Sequence, residues 1–211
     1  FMLQAGGFSS NQGREQDINI KFIRGNQYTL NEHNDSNALF GLGYLLAGPE
    51  YKPVKTEFGV NAFYLLQTSV NGQIIQEHQF ANLAYQYNMT HLPVYALGKA
   101  TINNASDKLA LTFNAGIGPN FIKTSGYKEW AVNGSRTLPD HAFSGTSRAV
   151  FSATAGIGVR INQAFGNIPL ECGYQFFYLG HGTFNARSDQ WLNTLNTGDV
   201  YAQALVCGLA I

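Results

Sequence analysis

Residues 148–161 read Arg-Ala-Val-Phe-Ser-Ala-Thr-Ala-Gly-Ile-Gly-Val-Arg-Ile. Ala149, Phe151, Ala153, Ala155, Ile157, Val159 and Ile161 are apolar, and they alternate with Val150, Ser152, Thr154, Gly156, Gly158 and Arg160. A period of two is the signature of a strand with two different faces. The same alternation sets Leu109, Leu111, Phe113, Ala115 and Ile117 against Ala110, Thr112, Asn114, Gly116 and Gly118. It sets Leu170, Cys172, Tyr174, Phe176 and Tyr178 against Glu171, Gly173, Gln175 and Phe177. Phe58, Val60, Ala62, Tyr64 and Leu66 oppose Glu57, Gly59, Asn61 and Phe63 in the same way. Residues 37–47 and 199–211 carry weaker versions, the latter broken by Gln203. Residues 82–102 place Tyr85, Tyr87, Met89, Tyr95 and Leu97 on odd positions, with Pro93 expected to force a bulge or an edge-like spot. With the short opening segment 1–8, the reading predicts eight strands and an all-β chain.

Composition narrows the class. Charged residues are 12% of 211, about half the ~25% of an ordinary soluble domain. Aromatics reach 13%, and there are 23 glycines. Thirteen basic and thirteen acidic residues cancel, which excludes the basic stripe of a nucleic-acid binder. Two cysteines do not build a disulfide scaffold. The apolar content is too high for disorder. No run of ~18 apolar residues codes a membrane-spanning helix. Residues 1–7 lack the basic and apolar regions of a signal peptide.

The connections sort themselves. Those near residues 48–54, 103–107 and 162–167 are short, whereas 9–36, 68–81, 124–146 and 181–197 are long and polar. Short and long alternate, as they do when every short turn lies at one end of a barrel and every long loop at the other. The small second face would make a bare soluble surface but suits the lining of a narrow eight-stranded barrel, filled by side chains. The expectation is an eight-stranded antiparallel up-and-down transmembrane β-barrel, with residues 1–211 as one domain and both chain ends at the short-turn side.

On these strands the chain resembles the small outer-membrane β-barrels of Gram-negative bacteria, the family of the OmpA- and OmpX-type membrane domains. The local pieces carrying the resemblance are 113–118 (Phe-Asn-Ala-Gly-Ile-Gly), 155–159 (Ala-Gly-Ile-Gly-Val) and 173–180 (Gly-Tyr-Gln-Phe-Phe-Tyr-Leu-Gly). The resemblance implies a porin-like surface protein in the bacterial outer membrane, surrounded by lipid and lipopolysaccharide. Such barrels usually end in an aromatic residue, whereas Leu209-Ala210-Ile211 does not.

Candidate sites follow from the faces. Arg160 and Glu171 point inward on consecutive strands, equally far from the turn near Phe165, and Glu57 points inward near the same end. Buried charge requires a partner, so an Arg160–Glu171 pair is expected, as a plug or, alternatively, as an ion gate. Cys172 and Cys207 face outward at similar height. Free lipid-facing thiols are the favoured reading and a disulfide the alternative. Tyr44, Tyr64, Tyr85, Tyr87, Tyr174, Tyr178 and Tyr201 read as interfacial girdles, and Lys99 as a snorkelling cation. His33, His78, His91, His141 and His181 have no zinc-ligand spacing. The segment His181-Gly182-Thr183-Phe184-Asn185 lacks the serine nucleophile of barrel deacylases, so no enzyme, cofactor or metal is expected. Acceptor triplets for glycosylation at Asn88, Asn104 and Asn133 read as accidental. The long loops are the expected contact surface for host or cell-surface molecules. Lys128, Trp130 and Arg136 lead the candidates, because Trp and Arg are enriched at interface hot spots. A narrow channel for ions or small solutes is the alternative. The chain is expected to be monomeric.

Overall fold

A computed structural model describes residues 1–51, 53–103, 108–132, 134, 136–166 and 168–210. The described residues form twelve strands: β1 (Met2–Asn11), β2 (Gln16–Ile20), β3 (Ile23–Leu30), β4 (Asn34–Tyr51), β5 (Val54–Gln76), β6 (Phe80–Asn103), β7 (Leu109–Ala131), β8 (Phe143–Ser144), β9 (Ser147–Phe165), β10 (Ile168–Thr183), β11 (Asn185–Ala186) and β12 (Asn196–Ala210). Eight of them pair antiparallel in chain order, β1–β4–β5–β6–β7–β9–β10–β12. The last pairs with the first, from Met2 opposite Ala210 to Asn11 opposite Tyr201. Every strand of this ring therefore has two hydrogen-bonded neighbours, and the ladder returns on itself. Closure leaves no edge in the ring.

The outside of the ring is apolar. Leu42, Leu46, Phe58, Val60, Phe113, Ile117, Phe121, Phe151, Ile157 and Leu205 are exposed, Leu205 by 72%. Tyr44, Tyr64, Tyr174 and Tyr201 join them. A contiguous apolar belt around a closed barrel is the surface that hydrocarbon covers. A strand needs only ~9–11 residues to cross a bilayer, but β5, β6 and β7 have 23, 24 and 23. These strands continue beyond the belt as a cap at the long-loop end.

Along β6 the two faces exchange polarity. Even positions face out throughout: Ala100, Gly98, Ala96, Val94 and Leu92 within the belt, then Thr90, Asn88 and Gln86 above it. Odd positions face in: Thr101, Lys99 and His91 within the belt, then Met89, Tyr87, Tyr85 and Leu83 above it. The lower part is apolar outside, as lipid requires. The upper part is apolar inside, as water requires. The boundary lies near Thr90. Tyr85 and Tyr87, expected in a lipid girdle, are each 1% exposed and belong to the cap core.

Two loop expectations change. Residues 68–81 are not a loop: β5 and β6 run up to a tight turn at Glu77 and His78, both with positive φ. Residues 9–36 contain the hairpin β2–β3, which adds to the upper part of β5. The outer edge of β2 is covered by the fourth loop through Lys21 N–H to Gln190 O and Leu192 N–H to Asn19 O, each 2.9 Å. Pro93 causes no break in β6, and its register with Asn120 on β7 continues that of its neighbours. The bulge sits on β5, between Leu65 and Thr68.

Cys172 and Cys207 are directly opposed on β10 and β12, with Cα atoms 4.1 Å apart, and form a disulfide. This overturns the reading as free thiols. Close outward-pointing partners on adjacent strands bring two sulfurs together with no rearrangement. Such a bond persists in an oxidising compartment. Thiol titration of the unreduced, unfolded protein should find no free thiol. Two reactive thiols would contradict the pairing.

Candidate functional site

The lumen is filled from the short-turn end upward. Glu57 on β5 is the ladder neighbour of Lys99 on β6, and Arg160 on β9 that of Glu171 on β10. The ion pairs do not follow the ladders. Lys99 binds Glu171, and Arg160 Nη1 lies 4.0 Å from Glu57 Oε2, so both contacts cross the lumen. The expected Arg160–Glu171 pair is thus replaced by an exchange of partners. Lys99 is 4% exposed at its side chain and does not snorkel. Two positive and two negative charges, each facing its opposite across a narrow bore, tie four strands together. Below them a vestibule of about 230 Å³ is lined by Phe1, Leu45, Glu57, Lys99, Arg160 and Pro169.

Above the charges lies a polar layer. Gln175 Nε2 donates to Asn114 Oδ1 at 3.0 Å and to Thr154 Oγ1 at 2.5 Å, and Asn61 Nδ2 donates to Gln4 Oε1 at 2.9 Å. Gly156 makes the room, because a Cβ there would stand 2.2 Å from Gln175 Oε1. The next layer is aromatic, with Phe63 edge-on to Phe177 at 5.2 Å and Tyr95 alongside. Asn120 and His91 follow, Asn120 Nδ2 donating to Leu179 O at 2.7 Å and lying 3.0 Å from His91 Nδ1. Phe63, Phe177, Tyr95, His91 and Asn120 are at most 1% exposed, so the bore is packed shut at this height.

The buried apolar cluster continues from the lumen into the cap. Phe143 meets Tyr28 at 6.0 Å, Tyr127 at 5.5 Å and Trp191 at 5.7 Å, and Phe184 meets Tyr87 at 4.9 Å. Glu129, 5% exposed, sits at the edge of this cluster. Tyr127 donates its hydroxyl to Glu129, and the same carboxylate accepts the backbone N–H groups of His141, at 2.8 Å, and Ala142, at 3.2 Å. The third loop is thereby latched onto β7. Burial, with the neighbouring Tyr28 and Glu129, pushes the Tyr127 phenol far above its ordinary range, so it stays a donor. Burial beside Glu129 raises the Asp140 carboxyl, partly offset by His141.

The loop candidates are distributed differently from the sequence reading. Trp130 and Lys128 are on β7, not in a loop; both face outward, opposite Ala84 and Gln86 of β6. Arg136 is exposed in the following loop. The structure does not gather the three into one cluster. His181 Nδ1 lies 3.7 Å from Asp199, whose carboxylate also accepts from Tyr178 at 3.2 Å. No serine or threonine hydroxyl is hydrogen-bonded to His181 among the described residues. Of the acceptor triplets, Asn88 lies within β6, while Asn104 and Asn133 lie outside the described residues, as does the terminal Ile211. Sequence reasoning missed Lys99 as a luminal charge, because its odd position placed it with Tyr95 and Leu97 on the larger apolar face, read as lipid-facing, whereas all three face inward. It also missed Glu129, which parity hides because a bulge at Gly126, φ +64, shifts the phase of β7.

No protein-family model and no curated protein sequence matches this chain. Among solved structures it is similar to Neisserial surface protein A, at 9% identity and a TM-score of 0.39, over 98% of this chain and 94% of that one. It is also similar to Ail, the attachment invasion locus protein of Yersinia pestis, at 10% identity and a TM-score of 0.33, over 99% and 97%. A second Ail structure, in complex with the heparin analogue sucrose octasulfate, gives 12% identity and a TM-score of 0.35 over the same shares. These likenesses carry no residue roles across. The barrel is established by its own ladders.

Proposed function

We propose that this chain is a non-enzymatic surface protein of the bacterial outer membrane, with a closed lumen and a rigid cap that meets molecules outside the cell. The observation that carries the reading is the exchange of polarity near Thr90. Below it the barrel is built for lipid. Above it the same strands build a water-facing unit packed around buried aromatic side chains. A channel needs neither the cap core nor a bore packed with Phe63, Tyr95 and Phe177. A binding scaffold benefits from both, because rigid presentation lowers the ordering cost of association.

The test replaces residues 132–140, which carry Arg136 and Leu138, by a short glycine-serine turn in a barrel that still shows heat-modifiable gel mobility. Cells displaying it are compared with wild type for adhesion to host cells and to other bacteria. Reduced adhesion supports contact through the third loop. Unchanged adhesion removes that loop from the contact surface. In liposomes, wild-type protein should give no swelling with small sugars. Rapid swelling would favour the narrow-channel alternative.

A further inference from the structure

We infer that Cys172 and Cys207 are the substrate of a soluble thiol–disulfide oxidoreductase that acts on this chain before it enters the membrane. β10 and β12 then arrive in the bilayer already joined. The inference rests on the outer-membrane reading above. Its first support is the position of the bond. One outward rung of the ring reads Val159–Cys172–Cys207–Ala5. The rung on the short-turn side is Ile161–Leu170–Leu209–Leu3, and the rung on the cap side is Ile157–Tyr174–Leu205–Gly7. Neither flanking rung carries a charge, and Leu3, Ile157, Ile161 and Leu205 are exposed to the surroundings of the barrel. Ile168 and Phe165, also exposed and paired with each other, carry the apolar belt farther toward the turn. Cys172 follows Ile168 by four residues, about 13 Å along the strand. The disulfide therefore lies within the hydrocarbon belt and not at its rim.

Thiol–disulfide exchange cannot start at that depth. The attacking species is a thiolate, and an unpaired charge in an apolar medium is expensive. The active site of a water-soluble enzyme does not reach a sulfur flanked on both sides by lipid-covered rungs. The bond is made while both cysteines are still in water. One cysteine thiolate attacks the disulfide of the oxidase, which gives a mixed disulfide and releases one oxidase thiolate. The second cysteine thiolate then displaces the other oxidase sulfur. The chain gives up two electrons and two protons, and the oxidase leaves as a dithiol.

The second support is the connection between the two strands. A tight turn fixes the register of a hairpin, and β9 ends at Phe165 only shortly before β10 begins at Ile168. β10 and β12 are instead separated by residues 184–195. Their ladder also shifts register, between Tyr178 and Gly180 and again between His181 and Thr183. Below those shifts nine consecutive pairs run from Leu170–Leu209 to Tyr178–Tyr201. A slip of one residue on β12 would turn Leu205 and Leu209 into the lumen. A covalent bond between the directly opposed Cys172 and Cys207 forbids that slip, as a tight turn does elsewhere in the ring.

The test starts from the full chain, reduced and unfolded in urea, with a soluble dithiol oxidase in its disulfide form as the probe. In one arm the oxidase is present on dilution from urea, before phosphatidylcholine vesicles are added. In the other it is added only after the barrel has inserted, as judged by heat-modifiable mobility. Free thiols are then counted in SDS with a maleimide mass tag. The expected result is no tag in the first arm and two tags in the second. A reduced chain that fails to insert while the oxidised chain inserts supports the same order of events. Equal loss of tags in both arms overturns the inference and leaves the outer-membrane reading standing. Failure of the chain to insert in either redox state would instead count against the outer-membrane reading.

Discussion

Replacing Lys99 by Met should destabilise the barrel by about 3–5 kcal/mol, because it leaves Glu171 as an unpaired charge in the lumen. The geometry supports an effect of this size: the Lys99 and Glu171 side chains are 4% and 13% exposed, and they bind each other directly. Glu171 has an alternative cation in its ladder neighbour Arg160, but that side chain is turned toward Glu57. A double replacement, Lys99→Met with Glu171→Leu, should recover most of the loss, since both charges then leave together. Urea titration of the reconstituted protein, followed by heat-modifiable gel mobility, measures both variants. A Lys99→Met barrel as stable as wild type would show that Glu171 is satisfied by Arg160 or by water. If Lys99→Met does not assemble at all, assembly of the double variant still separates unpaired charge from lost packing.

The second large effect belongs to the cap. Phe143 is fully buried and touches Tyr28, Tyr127 and Trp191, drawing the third and fourth loops together. Phe143→Ala should cost about 3–5 kcal/mol in transfer and cavity terms. Below Thr90 the ring is held by its own ladders, so the loss should appear as local opening of the cap. The expected readout is rapid proteolytic cleavage within residues 132–146 in a barrel whose heat-modifiable mobility is unchanged. If the barrel's global stability falls by the same amount, the cap and the ring unfold as one cooperative unit and the expected local opening is refuted.

Much of the fold was legible because a strand's pleat is local. Phe58 and Asn61, or Ile157 and Gly156, differ in face by parity alone, and no distant residue is needed to assign them. Parity also carried Phe63, Gln175 and Phe177 to the inside, where the structure has them. The same logic misplaced Tyr85 and Tyr87. Their face, shared with Tyr95 and Leu97, was read as lipid-facing because it is the larger apolar one, but on β6 that face points inward along the whole strand and fills first the lumen and then the cap. The signal was in the even positions, which are Leu92, Val94 and Ala96 below that point and Asn88 and Gln86 above it.

The partners of Lys99 and Arg160 were of another kind. Ladder register makes Glu171 the neighbour of Arg160, yet the ion pairs run across the bore, where strands distant in the ring face each other. Their separation depends on how the ring closes, which no single hairpin specifies. The disulfide needed the same kind of information, since Cys172 and Cys207 lie 35 residues apart and meet only when β10 and β12 take one register. The sequence by itself determined the strands, their faces and the alternation of short and long connections, because those are periodic and local. Ring closure, the crossed ion pairs, the disulfide and the latch of Glu129 on the third loop were decided by tertiary structure, because each depends on the distance between segments that the chain brings together only on folding.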